Sequence, residues 1–206
     1  MKAVLVYTNL VYTHYMEIRS SQFIKGIRGT DPILYDNVPQ IAFVGRSNVG
    51  KSSVINRLCN KGGLAKTGKK PGKTTEINIF TINAGECYFV DLPGYGYAKV
   101  GPKEKEMLKQ LIYWYVAESE VKALVIVVVL DTKVGLTRYD QEMIDLLQES
   151  GQHYIIAANK SDKLNQKELA AKLLEIREAA HGSTVIPCST LTSNGISALS
   201  EELARI

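Results

Sequence analysis

Eight consecutive residues, Gly45-Arg46-Ser47-Asn48-Val49-Gly50-Lys51-Ser52, follow the spacing G-x-x-x-x-G-K-[ST]. Glycines at both ends of such a loop let the backbone curl until several N–H groups aim at one point, and the lysine and serine add an ammonium and a hydroxyl. The chemistry this suits is the binding of a polyphosphate, with Lys51 reaching the β and γ phosphates and Ser52 ligating Mg²⁺. The apolar run 41–44 leads straight into the loop and a helical segment begins at about Lys51. That context adds the positive end of a helix dipole to the unpaired amides, and both favour an anion.

Three further groups stand in a fixed order downstream. Asp91-Leu92-Pro93-Gly94 follows a strand-like segment. An aspartate there can hold Mg²⁺ through water, and the Gly94 N–H can meet a γ-phosphate. Asn159-Lys160-Ser161-Asp162 fits N-K-x-D. The Asp162 carboxylate can accept hydrogen bonds from the N1–H and exocyclic amine of guanine. Adenine has no such amine and would leave a buried acceptor unpaired, at about 1–3 kcal/mol or more. The Lys160 stem would lie over the base, and Asn159 would tie this loop to the phosphate loop. Cys188-Ser189-Thr190 follows the last strand and would offer a backbone N–H to the guanine carbonyl, although Ser/Thr loops before helices are also common caps. Each of these reads alone as an ordinary turn; in this order they select a guanine nucleotide.

Elements that could position these residues are visible in the periodicity. Strand signals cover 41–44, 77–82, 87–90, 124–130, 154–158 and 184–188, and helical spacing covers about 51–58, 102–119, 139–149, 167–180 and 196–206. Alternating strands and helices predict an α/β fold with a mostly parallel, six-stranded sheet covered on both faces. Ligands on such sheets sit beyond the carboxyl ends of the strands, where all four groups fall. The chain of 206 residues is long enough for one well-buried domain, and 45% apolar with 22% charged residues excludes a disordered or fibrous chain. Three cysteines, Cys59, Cys87 and Cys188, and three histidines, His14, His153 and His181, are scattered without metal-ligand spacing. They predict free thiols in a reducing compartment. The longest apolar stretch, 123–130, is too short to span a bilayer, so no stable membrane insertion is expected.

Residues 1–15 have an apolar tint with several tyrosines and no cleavage signature. They are either an extra edge strand or the product of a misplaced start, with Met16 as the true one. The second reading is preferred because Met16-Glu17-Ile18 opens ordinary soluble sequence. The expected organisation is an N-terminal extension over 1–15, a lead-in over 16–39 and one domain over 40–206.

The phosphate loop with Ser53, the run Pro71-Gly72-Lys73-Thr74-Thr75-Glu76-Ile77-Asn78, and the run Asp91-Leu92-Pro93-Gly94-Tyr95-Gly96-Tyr97-Ala98 together resemble the EngB family of bacterial GTPases. That family lies within the TrmE-Era-EngA-EngB-Septin-like class of P-loop GTPases. The resemblance covers about residue 17 to the C-terminus and implies a three-layer P-loop NTPase, a Ras-like G domain. One departure is that the family often has T-K-x-D where this chain has Asn159-Lys160-Ser161-Asp162; the change restores the general GTPase pattern. The resemblance implies that Thr74 ligates Mg²⁺ and senses the γ-phosphate, with Thr75 as its neighbouring competitor, and that Gly72, Lys73 and Glu76 border the nucleotide. It also implies a cytoplasmic protein that acts with the RNA and proteins of the large ribosomal subunit and is needed for normal cell division and septation.

Tyr95 stands where many GTPases place a glutamine that orients the attacking water, so slow intrinsic hydrolysis is expected. No residue identifies itself as a base, and Tyr97 or a partner group could position water. In related bacterial GTPases an asparagine at the Asn48 position helps to bind K⁺, which gives Asn48 a candidate catalytic role beside Lys51 and Thr74. Lys61, Lys66, Lys69, Lys70 and Lys73 crowd one loop, and Lys99, Lys103 and Lys105 follow Tyr95 and Tyr97. Basic groups with nearby aromatics suit RNA phosphates and unstacked bases; no DNA partner is expected. A switch that binds a protein at the division site, and a metabolic kinase of the P-loop class, are the competing readings. Asp162 and the Asp91–Gly94 turn argue against the kinase. Trp114, with Tyr113 and Tyr115, is expected to pack in a helix rather than stack on RNA.

Overall fold

The run Val125-Ile126-Val127-Val128-Val129-Leu130 is β-branched nearly throughout, and stiff branched side chains of this kind fit a pleated surface buried on both faces. It forms the middle of the molecule. The computed structural model describes residues 17–66, 75–96, 101–121 and 123–206. In chain order the elements are β1 (Ser21–Ile27), β2 (Gln40–Gly45), α1 (Lys51–Leu58), β3 (Ile77–Ile82), β4 (Cys87–Asp91), α2 (Pro102–Tyr113), β5 (Val125–Asp131), α3 (Arg138–Glu149), β6 (Tyr154–Asn159), α4 (Gln166–Ala179), β7 (Val185–Pro187) and α5 (Ile196–Ala204).

One sheet holds all seven strands in the order β1-β3-β4-β2-β5-β6-β7. From β4 through β7 every pairing is parallel, whereas β3 runs antiparallel to β4 and β1 antiparallel to β3. Alternate residues along each strand feed two separate cores. Phe43, Phe89, Val127 and Ile155 pack with Val54 and Ile55 of α1 and Leu199 of α5. Val44, Val90, Val128 and Ile156 pack with Ile112 of α2, Ile144 of α3 and Ile176 of α4. The result is the expected three-layer α/β fold.

The sheet has one strand more than the six expected. The extra strand, β1, falls in the stretch assigned to a lead-in over 16–39. Only Ser21 and Ile27 at its ends are buried, so it carries almost none of the alternation that marks a half-buried strand. The helix expected over 102–119 is α-helical to Tyr113 and continues as a π turn over Trp114–Glu118, closed by the Ser119 N–H donating to the Trp114 carbonyl at 2.7 Å. In that turn Tyr115 is buried and donates its hydroxyl to Gln40 Oε1 at 3.1 Å, and Trp114 packs on the core, as expected of helix packing; Tyr113 is exposed. The three cysteines are free and buried, and burial pushes the Cys59 thiol up to about 11 and those of Cys87 and Cys188 to about 12. Expectations for 1–15, Met16, Lys69, Lys70, Gly72, Lys73, Thr74, Tyr97 and Lys99 fall outside the described residues.

Candidate functional site

Parallel strands bring their carboxyl ends to one side, so Gly45, Asp91, Asp131, Asn159 and Pro187 end beside one another at the top of the sheet. Strand β2 lies between β4 and β5: the chain lays β3 and β4 on one side of it and then β5 to β7 on the other, and a crevice opens at such a reversal. The phosphate loop starts there. Gly45 fits because a Cβ on it would stand 2.5 Å from the Val129 carbonyl oxygen. Asn48 and Gly50 both take left-handed conformations, at φ 68° and 101°. At Gly50 a Cβ would also collide with the Asn159 amide nitrogen. Those turns aim the loop at the N-terminus of α1, where Ser52 occupies the first turn. Lys51 is buried; its ammonium donates to Asp91 Oδ1 and to the Leu92 carbonyl, the latter at 2.6 Å. Lys51 and Asp91 therefore meet, and Ser52 follows Lys51 in the first turn of α1.

The Asn159–Asp162 segment is bolted to the same loop. The Asn159 side chain is fully buried; its Nδ2 donates to the Val49 carbonyl at 2.8 Å and its Oδ1 accepts the Thr190 N–H at 3.2 Å. Lys160, itself left-handed at φ 65°, donates to the Asn48 carbonyl at 2.7 Å and to Asp131 Oδ2 at 2.6 Å. Ser161 Oγ donates to the Cys188 carbonyl at 2.9 Å, and the Ser189 hydroxyl donates to the Asp162 carboxylate. Ser189 Oγ also accepts the Leu191 and Thr192 N–H groups, which shapes the Cys188–Thr190 turn. Arg57 of α1 closes the ring by donating Nε to the Thr190 carbonyl at 2.8 Å.

Asp91-Leu92-Pro93-Gly94 lies buried against the phosphate loop. A Cβ on Gly94 would come within 3.1 Å of the Ser47 N. Arg46 pairs with Tyr95 as an isolated parallel bridge: the Tyr95 N–H donates to Gly45 and the Ser47 N–H to the Tyr95 carbonyl. Tyr95 donates its hydroxyl to Asp140 Oδ1 at 2.9 Å, and burial together with that carboxylate holds the phenol pKa well above its ordinary value. Thr75 and Glu76 meet Arg28, at 3.5 and 3.2 Å. The β3–β4 register sets Asn78 opposite Asp91, so both residues approach at the same end of the sheet as the motifs.

Four residues of this assembly went unmarked in the sequence: Arg57, Asp131, Thr132 and Asp140. Thr132 is buried and donates Oγ1 to the Asn159 carbonyl at 2.7 Å. Their partners lie 27 or more residues away, and no local spacing announces such a pairing. Among the basic residues, Lys66, Lys103 and Lys105 are exposed, Lys61 donates to the Ser21 carbonyl, and Lys105 lies 5.7 Å from the centre of the Tyr139 ring. Among the described residues no group of three or more His, Cys, Asp or Glu could cage a metal. The Ser52 hydroxyl and Asp91 carboxylate are hard oxygen donors of the kind that suit Mg²⁺, which takes few protein ligands and completes its shell with phosphate and water.

Residues 40–160 match the family model described as a 50S ribosome-binding GTPase. A probable GTP-binding protein EngB of Chlorobium phaeobacteroides is 40% identical over 190 residues, covering 92% of this chain and 98% of its own. A counterpart from Chlorobaculum parvum is 42% identical over 189 residues, covering 91% and 97%. The crystal structure of a probable GTP-binding protein EngB superposes with a TM-score of 0.67 at 25% identity, over 81% of this chain and 97% of that one. Era, crystallised with MgGDPNP and a segment of 16S ribosomal RNA, shares the fold, with a TM-score of 0.65 at 24% identity over 81% and 56%.

Proposed function

This chain belongs to the EngB family of GTP-binding proteins, and from that premise we propose that it is a GTP/GDP switch acting in assembly of the large ribosomal subunit. The observation that carries the nucleotide part is the Asn159 side chain, which joins the Val49 carbonyl of the phosphate loop to the Thr190 amide of the base loop. Phosphate and base recognition are thereby held as one rigid frame. Asp162, oriented by Ser189, takes the guanine edge; the 45–52 loop and Lys51 take the phosphates. The Gly94 amide takes the γ-phosphate, which Thr74 senses as the family resemblance implies. Mg²⁺, held by Ser52, Thr74 and, through water, Asp91, would neutralise phosphate charge. Hydrolysis by this frame rests on positioning and charge rather than on a covalent step. The Tyr95 hydroxyl is engaged by Asp140, which supports a slow intrinsic rate and a requirement for an activator. Asn48 is exposed at the loop's tip with its carbonyl held by Lys160, a location compatible with a K⁺ ligand.

For the ribosomal part the support is the family model's description and the exposed Lys66, Lys103 and Lys105 around the switch segments. Co-sedimentation with purified large subunits, in GDP against a non-hydrolysable GTP analogue, tests it. Stronger association in the GTP-like state, lost in Lys51→Ala, is expected. No association in either state, with guanine-nucleotide binding intact, overturns the ribosomal role and leaves a protein partner at the division site. Unchanged hydrolysis when K⁺ replaces Na⁺ removes Asn48 from the catalytic set.

A further inference from the structure

Tyr95 follows Gly94 directly and is anchored in three ways. Its N–H donates to the Gly45 carbonyl at 3.2 Å, and its own carbonyl accepts the Ser47 N–H at 3.0 Å. The third anchor is the phenol, which donates to Asp140 Oδ1 at 2.9 Å. Asp140 is 1% exposed, an unusual place for a carboxylate. Its other oxygen accepts the Thr137 N–H at 3.0 Å and the Thr137 hydroxyl at 2.6 Å, so one carboxylate serves both the Tyr95 hydroxyl and the capping box of α3. Arg46 Nε stands 3.9 Å from that oxygen and is buried without a hydrogen-bond partner. Its stem forms a bed for the following residue: a Cβ on Gly96 would lie 3.0 Å from Arg46 Cγ and 3.5 Å from Tyr139 Cδ2. A ring that served only to fill space would need no buried charge at its tip. A hydroxyl aimed at a carboxylate makes a stronger, more directional bond than one to a neutral acceptor.

We propose that Tyr95, through the hydroxyl it donates to Asp140, is a positioning residue for Gly94, tying the turn that senses the γ-phosphate to the first turn of α3. The inference rests on the guanine-nucleotide reading above and adds a route by which the nucleotide state reaches α3. Gly94 and Tyr95 share a peptide bond, so fixing one narrows the range of the other. Losing the anchor weakens a triphosphate more than a diphosphate, because only the triphosphate meets the Gly94 amide. Base recognition is untouched, since Asp162 is oriented by Ser189 on a separate loop.

The test is equilibrium binding of fluorescent GDP and of a non-hydrolysable GTP analogue, with Mg²⁺, to the full chain and its variants. In Tyr95→Phe the ratio of GTP-analogue to GDP affinity is expected to fall by about fivefold or more, the lower end of ordinary site-to-site coupling. The preference for guanine over adenine is expected to stay as in the wild type. Asp140→Asn shifts the ratio in the same direction, and the double variant shifts it by less than the sum, because both remove one interaction. Thr137→Val removes the hydroxyl bond to the far oxygen of Asp140 and keeps the Thr137 N–H bond to it; it lowers the melting temperature and shifts the ratio by less than Tyr95→Phe. An unchanged ratio in Tyr95→Phe overturns the proposal, as does an equal shift in Thr137→Val. A wild-type chain that binds neither guanine nucleotide overturns the nucleotide reading instead, and the two failures are told apart by that control.

Discussion

Replacing Asn159 by alanine removes two hydrogen bonds at once, from Nδ2 to the Val49 carbonyl and from the Thr190 N–H to Oδ1. Each such bond has a net worth of about 1 kcal/mol, and each buried group left unpaired costs about 1–3 kcal/mol. Asn159 is fully buried, and its amide packs where a Cβ on Gly50 would stand, so water has little room to replace it. The expected loss is therefore about 2–6 kcal/mol. For a chain of this size that is a fall of about 5–20 °C in melting temperature. The same change separates the phosphate loop from the base loop, so GDP affinity drops by about 10–100-fold, a tenfold change corresponding to about 1.4 kcal/mol. Thermal unfolding and titration with a fluorescent guanine nucleotide read the two effects. Asn165→Ala is the control: it removes the capping box of α4 but leaves both Asn159 bonds in place, so it lowers stability by about 1 kcal/mol and lowers GDP affinity far less than Asn159→Ala. Wild-type stability and GDP affinity in Asn159→Ala would refute the claim that this side chain welds the two loops.

Gly50→Ala places a Cβ against the Asn159 amide at a backbone angle of 101° that alanine resists, and GDP affinity is expected to fall by about tenfold or more, as backbone strain costs about 1–3 kcal/mol. Lys51→Ala leaves the buried Asp91 carboxylate without its ammonium, so the chain loses both phosphate binding and stability, the latter by up to about 3–5 kcal/mol. Asp91→Asn added to it recovers stability without recovering GTP binding, and calorimetry with nucleotide titration separates the two. Asp162→Asn exchanges an acceptor for a donor at the base edge; competition binding is expected to show weaker GTP and stronger xanthosine triphosphate, whose extra oxo group accepts that donor. The cysteine thiols stay neutral to about 11 and 12 when folded against an ordinary 9.0, so their burial contributes stability in full below about pH 9. That contribution is lost as pH rises through about 11–12, because the unfolded thiols ionise first. Melting temperature measured across alkaline pH checks the slope, and Cys87→Ala should flatten it.

Much of the layered fold and the phosphate loop could be read in advance, and the base motif proposed, because their signals are local. The β-branched run of β5 has no other stable home, and G-x-x-x-x-G-K-S, D-x-x-G and N-K-x-D each declare their chemistry within a few residues. The edge strand β1 could not be read because a strand paired on one side only, with its middle exposed, obeys no burial alternation. The partnership of Tyr95 with Asp140 was hidden for another reason: Asp140 looks like any first-turn aspartate in a helix cap, and its second duty appears only when a residue 45 positions away folds onto it. Asp131 beneath Lys160 and Arg57 beneath Thr190 are the same kind of long-range support. Sequence motifs mark the groups that face a ligand; the groups that hold those in place are chosen by topology.

Strand β1 also bears on how copies of the molecule would meet, since among the described residues it is an outer strand of the sheet. An outer strand shows a rank of amides and carbonyls that a neighbour's strand could continue, and Phe23 and Ile24 stand exposed on it at 47% and 39%. The register slips between Phe23 and Lys25, so the rank is broken in the middle. Lys25 sits at the break with its ammonium on Asp31, and Lys61 already occupies the Ser21 carbonyl at the strand's beginning. A second molecule meets a kinked, charged border instead of a straight template. Among the described residues this border ends the sheet, and the bulge and the two lysines blunt it as a template for another strand.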